Sequence, residues 1–79
     1  MPDRLICSPR TVKILVQRGG YWTRLDLARE MGRAKTTHVI ATIEKAVTMG
    51  FINKIAGYDE HGRDAWIYTI ESEQKVLGL

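Results

Sequence analysis

Between Gly32 and Gly50 the chain sets Val39, Ile43, Ala46 and Gly50 at steps of four, three and four. That spacing keeps one side of a 3.6-residue period apolar, so a helix is predicted over 35–49 with that side turned inward. At about 100° per residue, Thr37, Ala41, Glu44 and Thr48 fall opposite, with His38 and Lys45 beside them. Ile40 and Val47 lie at the border and are expected to touch a sheet rather than solvent. A short chain with one such helix must use its other elements to hold that helix from behind.

The flanking sequence supplies those elements. Ser8 and Pro9 form a helix start, a hydroxyl to cap free amides followed by a residue suited to the first turn. Cys7 and Val12 stand at staple positions, Val12, Leu15 and Val16 form an inward stripe, and Gly19 with Gly20 closes a first helix over 8–19. Leu5 and Ile6 either pack beneath it or extend it backwards. Tyr21 and Trp22 form a brief extended bridge. Thr23 then caps a second helix over 23–32, with Asp26 at the third position, Trp22 and Leu27 at staple positions, and Leu25, Ala28 and Met31 as the apolar stripe. After the third helix, 51–56 and 65–70 read as two strands joined by a polar loop over 57–64, a hairpin spanning 51–70. Trp66, Tyr68 and Ile70 share one face. Trp22, Trp66 and Tyr68 have faces on which a nucleobase can stack, but their bulk in so small a domain favours the core. The tail, 71–79, has residues enough for a short helix.

Seventy-nine residues make one domain, near the size at which only roughly 60% of the unfolded surface is buried. The apolar share of 44% and charged share of 27% are those of a globular protein and exclude a disordered tail. A single Cys7 excludes an internal disulfide, and no apolar run reaches the length of a signal or membrane segment, so a cytoplasmic protein is expected. The net charge of +3 is unevenly spread: 1–50 carry nine Lys or Arg against four acids, and 51–79 carry three against five. The basic half is the helical half, which suits a polyanionic partner.

Helix, short strand, helix, turn, helix and hairpin is an α+β order, that of a helix-turn-helix followed by a wing. The segment TRLDLAREMGRAKTTHVIATIEKAVTMGFINKI resembles winged helix-turn-helix regulators of the MarR and PapI kind. Thr23, Asp26, Leu27, Ala28, Gly32, Thr36, Thr37, Val39, Gly50, Phe51 and Ile52 match that pattern, and the resemblance extends from Ser8 to Ile70. Two features depart from it. The interval from Gly32 to Gly50 is one residue longer than in the common version, which loosens the turn through Arg33 and Ala34, and Ala41 stands where many relatives carry a mid-helix Arg. The resemblance implies a DNA-binding transcription regulator whose third helix enters the major groove. The family's dimer helices have little room in this chain, and a homodimer is expected instead from the small core and the apolar residues left over at the ends, Leu5, Ile6, Val76, Leu77 and Leu79.

Residues expected at double-stranded DNA follow from that geometry. The leading turn offers Arg33, Lys35, Thr36, Thr37 and His38 to base edges and phosphates, Ala41 to a thymine methyl, and Lys45 to a phosphate. Lys54, His61 and Arg63 are the wing's contacts to the backbone or minor groove. Glu44 is the awkward member, since a carboxylate there repels phosphate unless it accepts from cytosine or pairs with an Arg. Asp59, Glu60 and Asp64 likewise make the wing loop net negative. An alternative use of the same fold is a protein-interaction module contacting partners through Ile40, Val47 or the terminal Leu residues. No metal-ligand spacing, cofactor motif, nucleophile and base pair, or small-molecule pocket is legible, so neither an enzyme nor a cofactor is expected.

Overall fold

In the computed structural model, residues 6–70 are described, and they form three helices followed by a two-stranded antiparallel hairpin, an α+β layout of the winged-helix type. Helix α1 (Pro9–Val16) begins at Ser8, whose extended backbone lets Oγ accept from the Thr11 amide at 3.2 Å. Val12, Leu15 and Val16 are fully buried, and Cys7 packs against them. The helix is shorter than the expected 8–19, because the amides of Arg18 and Gly19 fold back to the carbonyls of Leu15 and Val16, three residues behind, and tighten the exit. Ile6 lies outside the helix and is exposed. Leu5 and the expected tail helix fall outside the described residues.

Trp22 is extended and exchanges both backbone hydrogen bonds with Tyr68, at 3.0 and 2.7 Å, so it acts as a one-residue third strand against the hairpin. Helix α2 (Arg24–Glu30) follows with a complete capping box: Thr23 Oγ1 accepts from the Asp26 amide and Asp26 Oδ2 from the Thr23 amide, each at 3.1 Å. Leu27, Ala28 and Met31 are buried to the last square ångström, whereas Leu25, expected in the apolar stripe, is 38% exposed. Seven residues give too few turns for spacing alone to choose a face, and the cap with its Trp22 neighbour sets the rotation.

Gly32 ends α2 at φ 71°. Its amide donates to Arg29 and that of Arg33 to Ala28, the paired bonds of a Schellman cap. Helix α3 (Thr37–Thr48) then starts two residues later than the predicted 35–49. Thr36 Oγ1 accepts from the Val39 amide at 3.3 Å and is the cap, while the Thr36 amide turns back to Ala34 and leaves Lys35 before the helix. Val39, Ile43 and Ala46 are buried as the spacing predicts. Thr42 joins them, satisfied by donating to the His38 carbonyl at 3.0 Å and accepting from Cys7 Sγ at 3.5 Å. A second Schellman cap at Gly50, φ 79°, sends Phe51 back onto the core.

Strands β1 (Asn53–Tyr58) and β2 (Asp64–Thr69) pair from Asn53 opposite Thr69 to Tyr58 opposite Asp64. The strands are as long as expected but shifted toward the tip, by two residues in β1 and one in β2, so that Phe51, Ile52 and Ile70 lie outside them and the loop is only Asp59 to Arg63, not 57–64. Asp59 closes it, with Oδ1 accepting from the amides of His61 and Arg63, both at 2.9 Å. Cross-strand partners share a face, so Lys54, Ala56, Trp66 and Tyr68 look the same way. Tyr68 is wholly buried there, but Trp66 is 43% exposed rather than core, its ring covered by Lys54 Nζ at 4.3 Å from the centroid. Among the described residues no helix is long and apolar enough to cross a membrane.

Candidate nucleic-acid interface

The exposed side of α3 is a strip of small and polar side chains. Thr36, Thr37, His38, Ala41, Lys45 and Thr48 are all exposed, and Lys35 precedes them, also exposed. Arg33 is half-buried in the turn. Thr36 has a double character: its oxygen caps the helix, which leaves the hydroxyl proton to donate outward. Ile40 is half-buried, and Val47 packs against the core, so the border positions do not form an open apolar surface.

Glu44 leaves this strip. Its carboxylate turns toward the hairpin, where Oε2 accepts from Arg24 Nη2 at 3.0 Å, Oε1 from Lys54 Nζ at 2.8 Å, and Oε2 again from the Tyr68 hydroxyl. Arg24 Nε in turn donates to the Tyr68 oxygen at 3.0 Å. Three side chains, from α2, β1 and β2, thus meet at one carboxylate of α3. Burial, the largest single influence, pushes Glu44 upward, but the bonds from Lys54, Tyr68 and Arg24 together outweigh it and hold the group at about 2. Tyr68 is pushed up to about 12, first by burial and then by its bond to the Glu44 anion, while Arg24 is raised by Glu44 despite partial desolvation.

This junction answers the question that Glu44 poses in the sequence: it pairs with an Arg, and the strip carries no unpartnered carboxylate. It also changes the part of Lys54. Expected at DNA, Lys54 is instead held between Glu44 and the Trp66 ring, with a quarter of its side chain exposed. Arg24 and Tyr68 are the members of this junction that spacing does not reveal. The nearest sequence signal is the position of Arg24 directly after the Thr23 cap, which fixes where its side chain departs.

At the wing tip His61 and Arg63 are exposed, as expected. Arg63 Nε lies 3.4 Å from Asp59 Oδ2, a surface pair of little energy that leaves the guanidinium accessible. Asp59 is held below its ordinary range by the Arg63 and His61 amides, so part of the loop's negative charge is spent on its own backbone. Lys35, His61 and Arg63 line one groove of about 430 Å³ between α2 and the hairpin. That groove is charge-balanced: Arg24, Arg29, Lys35 and Arg63 face Asp26, Asp59, Glu60 and Asp64. The structure therefore brings Lys35 to the wing residues, while Thr37, His38, Ala41 and Lys45 belong to the separate helix strip. Among the described residues no group of three or more His, Cys, Asp or Glu is placed to hold a metal ion. No protein-family profile, curated protein or solved structure matches the chain.

Proposed function

We propose that the chain is a sequence-specific double-stranded DNA-binding protein of the cytoplasm, a transcription regulator of the winged helix-turn-helix kind, with α3 in the major groove and the hairpin on the neighbouring backbone or minor groove. The observation that carries this reading is the withdrawal of Glu44. With its carboxylate bound by Lys54, Arg24 and Tyr68, the exposed strip of α3 presents hydroxyls, an imidazole, a methyl and an ammonium to a polyanion. Twelve residues of helix span about 18 Å, and the major groove, about 12 Å wide, admits such a rod. Lys35, Thr36, Thr37 and His38 at its leading end meet base edges and flanking phosphates, Ala41 permits close approach, and Lys45 reaches a phosphate. Arg63 and His61 extend the contact from the wing.

Two copies acting together suit so small a domain, since a pair of half-sites multiplies a modest single contact. Sedimentation with and without DNA tests that part, and a monomer under both conditions removes it. For binding itself, Lys35, Thr37 and Lys45 are replaced together by Ala. All three are exposed, so the melting curve should stay in place while affinity falls and the slope of log K against log salt flattens by about two, one for each lysine. Unchanged affinity sinks the assignment of α3. The charge-balanced groove favours a second reading, a protein-interaction module, and the same salt series separates the two: attachment to a protein partner lacks the steep dependence that counterion release imposes on DNA.

A further inference from the structure

The junction at Glu44 is placed where the hairpin leaves the body of the domain. Tyr68, Ile52 and the Trp22 bridge anchor the base of the hairpin, and from Ala56 outward no hairpin residue before Tyr68 belongs to the core. Whatever sets the angle of the distal wing must therefore act near Lys54 and Tyr68. There the Glu44 carboxylate takes one bond from each strand, and the third from Arg24 ties both to α2. Half-buried ion pairs return much of their attraction as desolvation, although removing one partner alone is costly, and their best-attested use is to specify one geometry among several. This one links the helix to the wing.

We propose that Glu44 is a positioning residue for DNA readout: through Lys54, Arg24 and Tyr68 it holds the hairpin at one angle to α3, so that groove and backbone contacts are made together. The inference rests on the function proposed above and adds which residues set its specificity. Glu44 touches no base. Without its charge, Lys54 and Arg24 are left as neighbouring unpaired cations that repel each other and are free to meet phosphate anywhere. Loss of Glu44 therefore favours indiscriminate binding over selective binding.

The test compares wild type with Glu44→Gln and with Tyr68→Phe, which keeps the ring in the core but removes the hydroxyl. A duplex selected by the wild-type protein from a random pool and a duplex of random sequence serve as probes, at stated salt. For Glu44→Gln, affinity for the random duplex should hold or rise, while discrimination falls by about tenfold, the equivalent of one hydrogen bond to a charged group. Tyr68→Phe should move discrimination the same way by less. A mere loss of folding lowers both affinities together, which separates the two causes. Residual dipolar couplings of the backbone amides, measured without DNA, supply a second readout: in wild type one alignment fits α3 and hairpin, and in Glu44→Gln the hairpin needs its own, weaker alignment. A folded Glu44→Gln protein with unchanged couplings, or with unchanged discrimination, overturns the proposal. If wild type binds no duplex at any salt, the DNA function fails and this role in readout with it, whereas the couplings alone decide whether Glu44 sets the angle.

Discussion

Replacing Glu44 by Gln and lowering the pH remove the same charge by two routes, so each checks the other. The carboxyl is held at about 2 against an ordinary 4.5. At 1.36 kcal/mol for each pH unit, that interval sets an upper bound of about 3.4 kcal/mol on what the ionised form contributes to folding. With 32% of the Glu44 side chain open to solvent, screening reduces this to about 1–2 kcal/mol. Because the folded value is depressed, the contribution is fully present above pH 4.5 and is lost as the pH falls toward 2. The measurement is a set of thermal melts of wild type and Glu44→Gln between pH 7 and pH 2. At neutral pH the wild type should melt higher by about 4–16 °C, at 4–8 °C per kcal/mol for a domain of this size. The gap should persist to pH 5, narrow below 4.5 and close near 2. Asp59 also titrates low, but it is present in both proteins and cancels in the difference. A gap that stays constant across the whole range, or that is absent at pH 7, refutes the view that Glu44 is held as an anion by its three partners.

Two further outcomes probe the same architecture. Tyr68 should ionise near pH 12 in an ultraviolet titration; with its folded value raised, the stability it contributes is present below about 10 and lost as the pH rises through 12, so Tyr68→Phe should flatten the alkaline limb of the melting profile. Gly50→Ala should cost about 1–2 kcal/mol in urea unfolding, since φ 79° is strained for any residue with a Cβ and the space around that Cβ is open; a neutral effect would mean that α3 ends without its left-handed cap.

Much of the layout is legible in the sequence because its causes are local. Ser8 and Thr23 cap helices through bonds to amides three residues away, Asp26 completes its box within the same turn, and Gly32 and Gly50 stop helices by adopting a conformation other residues resist. The 3.6-residue period carried over the twelve residues of α3 identifies its inward face without help, and the α+β order of helices and hairpin follows. Where the local signal is brief, packing chooses. Two turns of α2 put Leu25 in the inward stripe and Leu27 at a staple position by spacing, and it is the packing that buries Leu27 and turns Leu25 out. The wing's loop shortens because Asp59 finds amides beyond the expected strand ends, and Trp66 stays at the surface because a single hairpin has one core-facing patch and Tyr68 fills it. Glu44 shows the division most clearly. The sequence by itself placed a carboxylate on the outward side of α3 and left its partner open. Its three partners stand 20, 10 and 24 residues away in the chain, and no local rule connects them. Only the crossing of α2, α3 and the hairpin brings Arg24, Lys54 and Tyr68 within reach, where a partly desolvated carboxylate must take their hydrogen bonds to remain charged.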